Sequence, residues 1–291
     1  TLKSDFMSHG IRCDGDLLLP EGNKRPPVII MAHGLAAQKN FGLGPYAEQF
    51  VKKGMAVFLF DYRTFGKSDG EPRQIVDPFR HLEDWRAAIS HVRSLPDVDG
   101  GRIALWGSSF SGGHVLALAS SEKNITAVIS QIPFISGSSS IRMKRIPDIL
   151  KSTAYGTYDL LRGFLRLSPH YSPVIARPGQ FAAMNSEESY DGFMSIVGDD
   201  HIWENKMASR GFIKMAFYNP VAGAKKIKAP IMIIAGKDDS LIPWTAVKKI
   251  SERISNCELV VLDCNHFAPY TGEFFKKYIG RHVEFMAGHL L

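Results

Sequence analysis

The sequence predicts an α/β protein: a mostly parallel sheet of about eight strands with helices on both faces and one helical insertion. Three observations carry this. Short continuous apolar runs recur along the 291 residues, each bounded by turn residues, the pattern of strands buried on both faces. Segments whose apolar residues fall three or four positions apart alternate with those runs. Between residues 137 and 217 the alternation stops, and only helical spacing remains.

In chain order, the stretch before Pro20 is broken by turn residues and predicts an antiparallel hairpin at the sheet edge. The runs Val-Ile-Ile-Met-Ala (28–32) and Ala-Val-Phe-Leu-Phe (56–60) predict the first buried strands, with Pro45 opening the helix between them. Asp77-Pro78 supplies an N-cap and a first-turn proline, after which Phe79, Leu82, Trp85, Ile89 and Val92 recur at helical steps. Strands follow at 103–106 and 127–132. In the insertion, Tyr155, Tyr158, Leu161, Phe164 and Leu165 fall on one helical stretch and Trp203, Met207, Phe212 and Met215 on another, separated by the proline-containing linker 168–178. Strands return at 231–235 and 259–262. Pro243 opens the helix between them, and Phe274, Phe275, Tyr278, Ile279, Val283 and Met286 stripe the last one. The expected division is a core of 1–136 and 217–291 with residues 137–216 inserted as a cap.

Composition narrows the function classes. The net charge is +6, but the basic residues are spread along the chain as solvated pairs such as Lys52-Lys53 and Lys248-Lys249, so nucleic acid is not an expected partner. Three cysteines, Cys13, Cys257 and Cys264, lack metal-site spacing, which fits a reduced, cytoplasmic setting, with a disulfide between two of them as the alternative. No apolar run is long enough for a membrane span. The chain begins at Thr1, which leaves open a preceding segment. Asp199-Asp200-His201 is the one metal-like triplet, and adjacent ligands seldom converge without distant partners. There is no glycine-rich phosphate loop and no dinucleotide fingerprint. Neither a metal nor a cofactor is expected.

The chemistry concentrates at residues 102–114, Arg-Ile-Ala-Leu-Trp-Gly-Ser-Ser-Phe-Ser-Gly-Gly-His. An apolar strand ends near Trp106, a Gly-x-Ser-x-Ser-Gly turn follows, and a helix begins near Ser111. Such a turn lifts the Ser109 hydroxyl clear of the sheet, at the cost of a strained backbone, and aims free helix N–H groups at whatever reacts with it. This segment resembles the nucleophile turn of the α/β-hydrolase superfamily. One position departs from that pattern, because the family's usual glycine two residues after the nucleophile is Ser111 here. Ser111 is thus a rival nucleophile, although Gly107 sets a register that puts Ser109 at the apex.

The resemblance implies further roles. A serine hydroxyl is a weak nucleophile and needs a base and a group to orient that base. Similar hydrolases carry Gly-x-x-Asp-x-x-x-Pro after the next-to-last strand. Here Gly236-Lys-Asp-Asp-Ser-Leu-Ile-Pro243 makes Asp239 the orienting acid, with Asp238 the alternative. His266, in the loop after strand 259–262, falls where the base belongs, and the order Ser109, Asp239, His266 is the superfamily's. The oxyanion donors implied are the Phe110 and Leu35 backbone N–H groups, with His33 bracing the loop of the second. Asp61-Tyr-Arg-Thr-Phe-Gly-Lys-Ser-Asp-Gly70 matches a family turn and reads as scaffold. Together with Asp84-Trp85 it looks most like hydrolases grouped with dienelactone hydrolases and X-Pro dipeptidyl-peptidases.

The expected activity is a carboxylesterase-like serine hydrolase. It would cleave a small or medium apolar carboxylic ester through an acyl-Ser109 intermediate, with cap aromatics contributing to an acyl pocket. An acyl transferase or thioesterase would use the same residues. A peptidase and a non-catalytic ligand-binding scaffold are further alternatives. A small-molecule ester or thioester is the expected partner, and a homodimer through the cap or sheet edge is compatible with the sequence.

Overall fold

The computed structural model describes residues 1–22, 24–198 and 202–291. Asp199, Asp200 and His201 therefore lie outside the described residues. The central sheet has eight strands: β1 (Leu2–Lys3), β2 (Gly15–Leu18), β3 (Val28–Ala32), β4 (Ala56–Phe60), β5 (Ile103–Ser108), β6 (Ala127–Gln131), β7 (Ile231–Gly236) and β8 (Cys257–Leu262). Their spatial order is β1-β2-β4-β3-β5-β6-β7-β8. β1 and β2 pair antiparallel at the edge, and every pairing from β4 to β8 is parallel. All six apolar runs became parallel strands. The stretch before Pro20 supplies the two antiparallel edge strands and also a separate small hairpin, Phe6–Ser8 with Ile11–Cys13.

Alternate side chains of each strand enter different layers, as a period of two requires. Ile29, Met31, Val57, Trp106, Ile129 and Ile234 pack beneath α1 (Gly44–Lys52) and the final helix, α9 (Gly272–Leu290). Ile30, Phe58, Phe60, Leu105, Val128 and Ile233 pack beneath α2 (Pro78–Ser94), α3 (Phe110–Ala119) and α8 (Trp244–Ser251). Asp77 caps α2, its carboxylate accepting the Phe79 N–H at 3.0 Å. Pro45 lies in the first turn of α1, whereas Pro243 sits just before α8 as its cap residue.

Between β6 and β7 come α4 (Gly137–Arg142), α5 (Ile146–Phe164), α6 (Ser189–Met194) and α7 (Arg210–Ala216). This segment is not all-helical. Tyr171–Ser172 pairs antiparallel with Met207–Ala208, and neither Trp203 nor Met207 belongs to a helix. Asn205 explains the break: its side-chain oxygen accepts the Val174 and Ile175 N–H groups at 3.0 and 2.9 Å, and its NH₂ donates to the Ile175 carbonyl at 2.9 Å. A side chain that engages backbone groups in this way holds its own segment extended.

The apolar stripe on α5 faces outward. Gly156 and Asp159 point inward; a Cβ at Gly156 would meet the Ile213 side chain at 2.8 Å, so only glycine lets α5 sit this close to α7. Buried Asp159 accepts from Arg210 Nε at 2.8 Å and from the backbone N–H groups of His170 and Arg210, each at 2.8 Å. Burial opposes its ionisation, but the guanidinium and those N–H groups hold its carboxyl below the usual range. Tyr158, Leu161, Phe164 and Leu165 are left exposed.

Among the described residues, burial disfavours the charged form of four histidines. Burial pushes His33 down to about 4, His114 and His282 to about 3, and His81 well below its ordinary value. In the unfolded chain each takes up a proton near pH 6.5 that the folded protein refuses, so folding loses up to about 1.4 kcal/mol per histidine per pH unit below that point. Asp61, raised to about 6 by burial, and Asp84, raised by the same cause, act in the opposite sense and offset part of the loss. The urea midpoint is expected to be flat from about pH 7 to 8 and to fall between about pH 6.5 and 5. A midpoint constant down to pH 5 would contradict neutral burial of these rings.

Candidate active site

Ser109 sits between β5 and α3 with φ 55° and ψ −115°, a region that non-glycine residues rarely occupy. Its backbone is tied on both sides. The Ser109 N–H donates to the Gln131 carbonyl at 2.9 Å, and its own carbonyl accepts from Phe134 at 2.8 Å and from Gly113 at 3.2 Å. Gly107 makes the tight turn possible, since a Cβ there would stand 2.3 Å from the Ser111 carbonyl oxygen.

The structure brings the three sequence-selected side chains together. His266 Nε2 lies 3.0 Å from Ser109 Oγ, and His266 Nδ1 lies 2.7 Å from Asp239 Oδ2. With the Nδ1–H donating to the carboxylate, Nε2 is left to accept from the serine hydroxyl. The other Asp239 oxygen accepts the Leu241 and Ile242 N–H groups, each at 2.8 Å, so the turn after β7 fixes the carboxylate. Asp239 is buried and Asp238 is exposed. Asn265 shapes the histidine loop by accepting the N–H groups of Phe267 and Ala268 at 3.1 and 2.9 Å.

Leu35 and Phe110 line one cavity with Ser109 and His266. Among the described residues neither N–H donates to another backbone group, and the Phe110 N–H belongs to the free first turn of α3. His33 is buried beneath this loop, its ring edge-on to Tyr62 with centroids 4.8 Å apart.

Ser111 stands apart from the His266 ring-nitrogen contact that Ser109 makes. It is fully buried, and its hydroxyl donates to the His33 carbonyl at 2.6 Å. Tyr62 donates to Ser111 Oγ in turn, and Trp85 Nε1–H donates to the Tyr62 oxygen at 2.8 Å. The residue that stands where the family pattern has glycine thus ties the loop of His33 to the start of α3. The signal was there in the departure from glycine, but the partner, a backbone carbonyl far away in the chain, was not legible. Two further links escaped sequence reading: Trp203 Nε1–H donates to the Ala36 carbonyl at 2.7 Å, and Ser240 donates to Glu188 through its N–H at 3.1 Å and its hydroxyl at 2.6 Å.

The cavity measures about 290 Å³. Beyond the serine its wall is mostly apolar, with Phe134, Ile141, Met184, Phe212 and Met215, and Lys144 is among its few charged groups. Burial pulls the Lys144 ammonium below its ordinary value, against the attraction of Asp148.

A mostly parallel eight-stranded sheet, flanked by helices and carrying a serine on the turn after its fifth strand, is the α/β-hydrolase architecture. The chain belongs to the serine aminopeptidase S33 family (Hydrolase_4), whose model matches residues 23–264. That match does not carry the finer grouping with dienelactone hydrolases. The chain is 35% identical over 286 residues to the quorum-quenching protein AidA of Acinetobacter baumannii, covering 98% of this chain and 94% of that one. It is 30% identical over 240 residues to the thiohydrolase aneE of Aspergillus aculeatus, covering 79% and 74%. It also shares the fold of the alpha/beta hydrolase GrgF from Penicillium sp. sh18, with a TM-score of 0.82, 24% identity and coverage of 99% and 98%.

Replacing Ser111 by alanine leaves the buried His33 carbonyl and the Tyr62 hydroxyl without their partner. The variant is expected to lose about 1–3 kcal/mol of unfolding free energy in urea. A loss below the error of the measurement would show that the buried link contributes nothing to stability.

Proposed function

We propose that this protein is an acyl-transferring serine hydrolase whose nucleophile is Ser109, with His266 as base, Asp239 as the orienting acid and the Leu35 and Phe110 N–H groups as oxyanion donors. The observation that carries the reading is the hydrogen-bonded line Ser109–His266–Asp239 beside a largely apolar cavity. His266 takes the hydroxyl proton as Ser109 Oγ bonds to the acyl carbon. The oxyanion lies against the two N–H groups, where each donor contributes roughly 3 kcal/mol to lowering the barrier. Collapse breaks the bond to the leaving group, which receives the proton from His266. Water then repeats the sequence and releases the acid.

The substrate in this reading is a small or medium apolar carboxylic ester. Residues 137–216 act as a cap, supported by α4, α5 and α7 residues that line the same cavity as Ser109. A second reading, thioester hydrolysis or acyl transfer to an alcohol or amine, uses the same residues and draws support from the relative named a thiohydrolase.

A panel of acyl esters and matching thioesters, graded from acetyl to dodecanoyl, tests both. Wild type is expected to turn over a subset of the panel, and Ser109→Ala to reduce its kcat/KM at least ~10⁴-fold. Added alcohol separates a transferase, which forms the new ester, from a hydrolase, which forms the acid. Turnover in Ser109→Ala equal to wild type would overturn the assignment.

A further inference from the structure

The outer face of α5 is neither core nor cavity wall. Ile146, Leu150, Tyr158, Leu161 and Leu165 recur at helical spacing on its exposed side, and Phe164 and Leu167 extend the apolar surface. The exposures are large for such side chains: 73% for Ile146, 59% for Leu161 and 83% for Phe164. Contiguous apolar surface of this kind marks an interaction site.

The charges around it are of one sign. Between residues 137 and 186 the only carboxylates are Asp148 and Asp159. Both are buried, Asp159 against Arg210 and Asp148 accepting from Asn185 Nδ2 at 3.1 Å. The same stretch carries Arg142, Arg145, Lys151, Arg162 and Arg166. Lys151 is exposed beside Leu150 on α5, and Arg162 lies 5.5 Å from the Tyr158 ring centre, so these cations fringe the apolar strip.

We propose that this face of α5 docks on an anionic lipid bilayer. An apolar strip bordered by cations, with tyrosine at its edge, is the composition of a helix that lies in the membrane interface. No helix among the described residues is long and apolar enough to cross a membrane, so the contact is with the surface. A second copy of the chain is the less suitable occupant. Pairing two such faces brings like charges together, and neither copy has an exposed carboxylate on this stretch to meet them. The opposite side of the helix, through Ile149 and Ser152, lines the cavity beside Ser109, so the docking face and the cavity wall are carried by one helix.

The test needs no turnover and is independent of the proposed activity. Purified protein is sedimented with vesicles of phosphatidylcholine alone or containing about one-third phosphatidylglycerol, at low and high salt. Wild type is expected to bind the anionic vesicles, weakly at high salt, and to bind pure phosphatidylcholine poorly. Leu161→Glu/Phe164→Glu, checked for an unchanged melting temperature, is expected to reduce the partition coefficient at least ~tenfold. Arg142→Gln/Lys151→Gln/Arg166→Gln should weaken binding to the anionic vesicles without changing the phosphatidylcholine baseline. Absence of wild-type binding to anionic vesicles, or equal binding by the Glu variant, overturns the proposal. A dimer in sedimentation velocity that the Glu variant dissolves, without vesicle binding, would assign the face to a second copy instead.

Discussion

The whole arrangement depends on one residue held in an unfavourable backbone conformation. Ser109 at φ 55° carries roughly 1–3 kcal/mol of strain, which persists because three hydrogen bonds to its backbone over-determine its position. One of these reaches Gln131 at the end of β6, one Phe134 just beyond it, and one Gly113 within α3. The parallel register that places β6 beside β5 is therefore what fixes the serine. Its hydroxyl points away from the sheet into a space where a loop after β7 and another after β8 also arrive, which is the general property of the carboxyl ends of strands in open α/β sheets.

A second, buried layer supports that point from below. Trp85, Tyr62, Ser111 and the His33 carbonyl form a chain of donors and acceptors from α2 to the loop after β3. His81 stacks on Tyr62 with ring centres 4.1 Å apart, and His114 Nδ1 meets the Tyr218 hydroxyl at 2.8 Å. The low affinity of these rings for protons follows from their burial, and it makes the core acid-sensitive in a way that a purely aliphatic core would not be. Asp61 joins the same loop to the turn after β4, accepting the Lys39 and Lys67 N–H groups at 2.7 and 3.1 Å. The motif around it is accordingly a brace for the loop that carries Leu35.

Much of this was legible in the sequence, for reasons that differ by element. The six buried strands announced themselves because both faces are covered, leaving unbroken apolar runs. Ser109 was legible from its own neighbours, since small residues must flank so tight a turn. Asp239 and His266 were selected through family resemblance, because nothing local distinguishes a loop aspartate or histidine from a solvated one; their convergence is visible only in three dimensions. The insertion was read less well. Asn205 acts through contacts with residues about thirty positions earlier, which no periodicity records. The stripe on α5 has the same spacing whether it faces inward or outward, and its direction was decided by Gly156 and Asp159, small and charged residues that a hydrophobic reading places outside.

Covalent labelling distinguishes whether the strained turn presents Ser109 or Ser111 for reaction. Treating the folded protein with a fluorophosphonate and fragmenting the peptide that spans both serines is expected to place the phosphonate on Ser109 in wild type. Ser111→Ala should label at the same position, and Ser109→Ala should remain unlabelled. An adduct on Ser111, or equal labelling of Ser109→Ala, would contradict Ser109 as the nucleophile.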